Sequence, residues 1–282
     1  MIFPTGDNVE RLRSPWMLWL LLAVTAAAFA THALLEDEAF LRFITDWGMI
    51  PANMTFPDKV RQEVSFWPSV FTSIFLHGGF DHLFGNMYFL WIFGDNVQQR
   101  MGPFSFLAFY LLCGIGAALT HVAMGPNSTV PTIGASGAIS GVLGAYVVMF
   151  PHASIRCFAY WSFFWNIIKI PAVMFIVGWF AIQLISAVAD MELVAWFRSH
   201  PSEWLMEEEP IKSGGVAFWA HVGGFAFGAL LALIWPRDTT VPIRYLRHEH
   251  DEHQWQMGPA WTEGWADEQP AEAVKLRTTR YR

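Results

Sequence analysis

Long apolar segments separated by shorter polar ones dominate the pattern of this chain. Six of these segments are about 17 to 25 residues long, the length that an α-helix needs to cross the hydrocarbon core of a bilayer. They cover approximately residues 15–35, 80–97, 103–124, 135–151, 168–189 and 215–235. We therefore predict an all-α, polytopic membrane protein with six transmembrane helices.

The polar segments suggest how the chain is organised. We expect three parts: an N-terminal tail (1–14), a transmembrane domain (15–236) and a poorly ordered C-terminal tail (237–282). The loop between the first two helices is too long and too apolar to be a simple linker. Its aromatic-rich part, residues 66–76, is interrupted by Pro68, so we expect it to lie on the membrane surface rather than to span the bilayer.

Composition and charge agree with a membrane location and add an orientation. Hydrophobic residues make up 54% of the chain and charged residues only 15%. Twelve of the 17 Lys and Arg residues fall in the two tails and in the second and fourth loops, when Lys169 at the border of the fourth loop is included. By the positive-inside rule both termini are then cytoplasmic. We expect a multi-pass membrane protein that contacts the lipid bilayer and no nucleic acid. A bacterial inner membrane is the location that we expect from the lack of a transit peptide and from the resemblance given below.

Two polar side chains, Ser136 and His221, fall inside apolar segments, where a polar or ionisable residue is a functional-site hypothesis by default. Each lies among small residues, in Gly134-Ala135-Ser136-Gly137 and Ala220-His221-Val222-Gly223-Gly224. Glycines at such spacing let two helices pack closely. We expect the fourth and sixth helices to touch, so that His221 can act as general base for Ser136.

The second helix contributes two more polar groups. His82 and Asn86 are four residues apart and share one face of that helix. With the Ser136 backbone N–H at a helix N-terminus, they could receive the negative charge of a tetrahedral intermediate. Asp81, the expected N-cap, does not share the helix face of His82, so we predict a Ser-His dyad. His77 and His121 are weaker candidates, which could snorkel or brace a loop.

Each signal alone has an ordinary explanation, since serines among small residues are common at helix contacts and a lone histidine is more often packing. Their conjunction is specific, and the chain resembles the rhomboid intramembrane serine proteases over roughly residues 60–236. Three segments carry the resemblance: Phe75-Leu76-His77-Gly78-Gly79 with His82 and Asn86, then Gly134-Ala135-Ser136-Gly137-Ala138-Ile139-Ser140-Gly141, and Ala220-His221 with Gly224 and Gly228.

The resemblance implies a fold, an activity and roles for individual residues. It implies a six-helix bundle in which a shortened serine-bearing helix ends at a water-filled cavity open to the outside. It assigns the nucleophile to Ser136, the general base to His221, and the oxyanion hole to Asn86, His82 and the Ser136 N–H. The fifth helix, with Trp179 and Phe180, would form a movable gate. The substrates would be transmembrane helices of other proteins, cleaved near the outer face without a cofactor.

Three positions depart from the pattern of many family members. Pro68 stands where an arginine often follows the tryptophan, Gln98 replaces a glutamate, and Ser140 replaces an aromatic residue that often packs on the catalytic histidine. The first two concern the stability of the scaffold and the third concerns how the histidine ring is held. None of them removes a reacting group.

Other interpretations remain open from the sequence. A catalytically inactive rhomboid-like protein could bind membrane helices for trafficking or quality control, and glycine-rich breaks near 134 and 214 would fit a small transporter, although paired inverted repeats are lacking. The cluster at 248–253 is either a divalent-metal site or a solvated tract. Cys113 and Cys157 are not expected to form a disulfide or bind metal. Nothing indicates the oligomeric state.

Overall fold

The computed structural model describes residues 2–60, 62–161, 164–199 and 216–246. The tail cluster at 248–253 and most of the fifth loop lie outside these residues. The helices of the described part are α1 (Trp16–Ala30), α2 (Asp37–Trp47), α3 (Pro51–Thr55), α4 (Phe66–Ser73), α5 (Phe80–Met101), α6 (Pro103–Met124), α7 (Ser136–Met149), α8 (Ala172–Ser199) and α9 (Phe218–Ile234). A 3₁₀ turn covers Pro57–Lys59.

Six of these helices coincide with the six apolar segments of the sequence: α1, α5, α6, α7, α8 and α9. Within the described residues, two stretches are long and apolar enough to cross a membrane, Pro103–Met124 and Ala172–Met191. Three further apolar helices, α1, α7 and α9, are shorter, with 15, 14 and 17 residues. The α7 helix is short because the chain before Ser136 is held in an irregular loop.

A three-stranded antiparallel sheet corrects the prediction of an all-α protein. Its strands are β1 (Ile2–Asp7), β2 (Ser154–Trp161) and β3 (Phe164–Pro171), in the order β1-β2-β3. The N-terminal tail is therefore partly a strand. The fifth helix begins at Ala172 and not near 168, because residues 168–171 pair with β2. The apolar run of β3 continues into α8, so hydropathy alone could not separate them.

The long first loop contains structure of its own. Pro68 does not break α4, because it is the third residue of the helix, and a backbone N–H in the first turn has no intrahelical partner to lose. Phe66 and Val70 are buried against Ala118 and Val122 of α6. The aromatic segment of the loop is thus packed on the helical bundle.

The N-terminus of α5 differs from the prediction. The N-cap is Gly79, in an extended conformation, and no side chain caps this helix. Asp81 is instead the second residue of the first turn, where a carboxylate is favourably placed near the positive end of the helix dipole. The predicted capping role of Asp81 is therefore wrong.

Polar contacts tie the N-terminal segment to the helices. The Asp7 carboxylate accepts hydrogen bonds of 2.6 Å from Asn96 Nδ2 and from the Tyr146 hydroxyl. Arg11 pairs with the buried Asp95. Gln98, one of the departures noted in the sequence, accepts a 2.7 Å hydrogen bond from the Leu18 N–H in the first turn of α1. It satisfies a donor that the helix itself cannot pair.

The closest helix contact joins α7 to α9 through glycine. A β-carbon at Gly224 would collide with the backbone carbonyl of Gly137, and one at Gly228 would collide with the backbone of Gly141. Here the two backbones touch with no side chain between them. Ala117 of α6 closes the other side, since a β-carbon at Gly137 would lie 2.6 Å from the Ala117 Cβ.

We expect Gly228→Ala to lower the free energy of unfolding by about 1–3 kcal/mol, because the added methyl meets backbone that cannot rotate away. Thermal unfolding in detergent, followed by circular dichroism, measures this. Gly178→Ala is the matched control, since Gly178 is an exposed helical glycine with open space around its Cα, and should be neutral or stabilising. Equal stability of the two variants would contradict the tight α7–α9 contact.

Asp7 should make stability depend on pH. Burial raises the pKa of the Asp7 carboxyl from 3.8 to about 6, opposed by its hydrogen bonds to Tyr146 and Asn96. An acid with a higher pKa in the folded state destabilises the fold when ionised, so stability rises as the pH falls from about 7 towards 4. We expect wild type to gain stability relative to Asp7→Asn over this range; both keep the neighbouring Asp95. Parallel pH curves for the two proteins would refute this.

Candidate active site

Ser136 and His221 meet between α7 and α9. The Ser136 Oγ and the His221 Nε2 are 2.7 Å apart, a good hydrogen-bond distance. Ser136 is the first residue of α7 and is half-buried, whereas His221 is the fourth residue of α9 and only 7% exposed. The glycine contact described above brings the two backbones close enough for this pair to form.

The loop before Ser136 is shaped by Gly134. This residue has a φ of +121°, a conformation that side chains rarely allow. It also lies against the ring of His82, because a β-carbon at Gly134 would come 2.7 Å from the His82 Nε2. The Gly134 N–H donates to the Ser73 carbonyl at 2.8 Å, which ties the loop to the end of α4. Helix α7 then begins at Ser136, and its first-turn N–H groups have no partner within the helix.

Asn86 and His82 stand on α5 beside this loop. Asn86 is 7% exposed, and among the described residues its Nδ2 has no hydrogen-bond partner although the atom is buried. A buried donor without a partner costs free energy and needs an explanation. A developing negative charge in the cavity would supply one. The Gly78 N–H, two residues before α5 begins, donates to the His82 Nδ1 at an N···N distance of 3.4 Å.

The structure adds a contact that the sequence interpretation missed. The Gln183 Oε1 of α8 lies 2.7 Å from the His221 Nδ1, and the Trp179 ring lies one turn earlier with its centroid 5.9 Å from that of the imidazole. A signal for Gln183 was present, because it is a polar residue within an apolar helix, the same argument that selected Asn86. The neighbouring Phe180 stacks on Phe225 of α9 at 4.3 Å.

The structure also places the remaining polar candidates. Ser140 is fully buried and its hydroxyl donates to the Ser136 carbonyl at 2.6 Å, within their own helix. His77 is also fully buried, and its backbone carbonyl is 3.0 Å from the His32 Nε2, so it braces the loop before α5. His121 lies in the last turn of α6.

One cavity of about 1910 Å³ is shared by the polar groups of the site. Its lining includes Ser136, His221, Asn86, His82, Gln183 and His121. Within the described residues, no three His, Cys, Asp or Glu side chains are grouped as a metal site would require. The arrangement supplies a hydroxyl, an imidazole acceptor and amide donors around a common space. Such a set can carry out nucleophilic attack with general-base assistance.

Comparison with known proteins gives a consistent result. A family model described as Rhomboid domain matches residues 64–237. Rhomboid protein 1, mitochondrial, of Saccharomyces cerevisiae is 35% identical over 148 residues, which cover 51% of this chain and 39% of the yeast protein. RHOMBOID-like protein 5 of Arabidopsis thaliana is 29% identical over 156 residues, 46% of this chain and 50% of the relative. Rhomboid protease GluP of Bacillus subtilis is 40% identical over 79 residues, 28% and 15% respectively. The chain thus spans half or less of the length of these relatives.

Proposed function

Because the chain belongs to the rhomboid family of membrane-embedded helical proteins, we propose that it is an intramembrane serine endopeptidase that cleaves transmembrane helices of other proteins near the outer membrane face. The observation that carries the proposal is the 2.7 Å contact between the Ser136 Oγ and the His221 Nε2. A serine and a histidine in an apolar bundle gain nothing from lipid, whereas a nucleophile needs such a base.

The proposed reaction follows from the positions of these groups. The Ser136 Oγ attacks the scissile carbonyl carbon while its proton passes to the His221 Nε2. As the tetrahedral intermediate collapses, the C–N bond breaks and His221 returns the proton to the leaving amine. Water then attacks the acyl-enzyme ester with the same base, which releases the acid product and restores Ser136.

The negative charge of the tetrahedral intermediate would be stabilised by a second set of groups. We assign its stabilisation to the Asn86 Nδ2, the His82 ring and the Ser136 backbone N–H. The unpartnered Asn86 donor supports this role, because a preorganised donor stabilises the transition state without reorganisation.

The membrane arrangement belongs to the same proposal. We assign six spans within residues 15–236, formed by α1, α5, α6, α7, α8 and α9, with both termini cytoplasmic in a bacterial inner membrane and the first loop on the outer surface. The short α7 would end at the cavity, so that water reaches Ser136 from outside. The substrates are membrane helices that must unwind locally before attack, since a peptide bond within a helix is shielded by its own hydrogen bonds.

We expect Ser136→Ala and His221→Ala each to reduce cleavage of a single-pass membrane substrate in liposomes to near background, because each removes one partner of proton transfer. Ser186→Ala is the matched control. Ser186 lies on α8, and the variant should cleave the substrate at the wild-type rate. Covalent labelling of the wild type by a fluorophosphonate at Ser136 separates a protease from an inactive helix-binding protein. Full cleavage by both dyad variants would refute the assignment.

Asn86→Ala should lower kcat by about 10²–10³-fold with a small effect on KM, as expected for loss of one oxyanion donor. Asn86→Asp keeps the size of the side chain but not its donors, and should lose activity as well. Cleavage kinetics in detergent measure both variants. Wild-type kcat in Asn86→Asp would show that Asn86 acts only through packing.

A further inference from the structure

Both ring nitrogens of His221 lie close to a polar side chain, so a third residue joins Ser136 and His221. The Nε2 faces the Ser136 Oγ at 2.7 Å, and the Nδ1 faces the Gln183 Oε1 at 2.7 Å. His221 is only 7% exposed, and each of its ring nitrogens lies within hydrogen-bond distance of a protein side chain.

The Gln183 contact selects one tautomer of the imidazole. A neutral imidazole has a single N–H, and an amide oxygen can only accept a hydrogen bond. With the amide oxygen facing the ring, the 2.7 Å contact is a hydrogen bond only when the proton is on Nδ1, which then donates to Gln183. The Nε2 lone pair is left free to accept the Ser136 proton, as a general base requires.

Helix α8 holds the histidine ring by packing as well. Trp179 and Gln183 are four residues apart and share one face of α8, and the Trp179 and His221 rings are inclined by 32°. The stack of Phe180 on Phe225 fastens this part of α8 to α9. On the α7 side, the Ser140 hydroxyl is directed to the Ser136 carbonyl. Within the part of the chain described, the hydrogen-bonding partners of the ring nitrogens are Ser136 and Gln183.

We propose that Gln183 is a positioning residue, which fixes the tautomer and orientation of His221 and makes the base competent only while α8 is docked against α9. The proposal rests on the proposed proteolytic function and adds a third group to the dyad. Because α8 lines the cavity with Trp179 and Gln183, any outward displacement of α8 would also release the base from its acceptor. The position of α8 and the activation of His221 are thereby linked.

The test compares two replacements of similar size. Gln183→Met keeps the length of the side chain but removes the amide acceptor, whereas Gln183→Glu keeps an oxygen acceptor at the same place. We expect Gln183→Met to lower kcat by about ten- to 100-fold with KM within about twofold, in line with the loss of groups that orient a histidine. Gln183→Glu should retain most of kcat. Ile182→Met, at an exposed position of α8, is the control for the methionine itself.

A small probe separates positioning from substrate entry. Labelling of Ser136 by a fluorophosphonate needs the base but no transmembrane helix in the cavity. The rate of labelling should therefore fall in Gln183→Met by the same factor as kcat. If Gln183 only shaped the entry of helices, KM would change and labelling would not.

Nitrogen NMR of ¹⁵N-histidine protein gives a direct readout. The His221 signal, identified by its absence in His221→Asn, should show the proton on Nδ1 in wild type and a mixture of tautomers in Gln183→Met. Wild-type kcat and labelling in Gln183→Met, or a wild-type His221 protonated on Nε2, would overturn the positioning role while the protease proposal stands. A wild type that neither cleaves nor labels at Ser136 would instead overturn the proposed function.

Discussion

The direct backbone contact between α7 and α9 is the constraint on which the rest of this structure depends. A β-carbon at Gly144, Gly224 or Gly228 would collide with the backbone of the facing helix, so α7 and α9 approach as closely as main chains allow. Only at this separation can a short serine side chain reach an imidazole on the neighbouring helix. In an apolar bundle such packing is also a main source of helix association, since burial of apolar side chains gains little against lipid.

The polar groups of the bundle are placed around this contact in a consistent way. Ser136, His221 and Gln183 form a continuous hydrogen-bonded chain across three helices, α7, α9 and α8. Asn86, on a fourth helix, keeps a buried donor without a partner in the described residues. In a low-dielectric interior a satisfied polar group stiffens the structure, whereas an open donor is costly. The proposed function would use this open donor for the negative charge that forms only during the reaction.

The β-sheet and the N-terminal segment are the parts of the fold that hydropathy alone does not predict. The six apolar segments predicted the positions of six helices, and the motifs around Ser136 and His221 predicted the pair that the structure brings together. The sheet was missed, because β3 reads as part of the apolar run before α8. Residues 1–14 are predicted as a short polar tail, whereas the Asp7 carboxylate accepts hydrogen bonds from Asn96 and Tyr146. These partners are distant in sequence, and no local pattern records their pairing.

The sequence by itself determined which segments are apolar, which helices carry small faces, and which side chains can supply a nucleophile, a base and amide donors. These properties are local, because they depend on residue type and on spacing along one helix. Only the tertiary structure decided that the Gln183 Oε1 lies 2.7 Å from the His221 Nδ1, and that the Ser140 hydroxyl donates to the carbonyl of Ser136 in its own helix. The reason is geometric: a hydrogen bond between helices is fixed by the rotation and distance of both, and a chain read residue by residue contains neither.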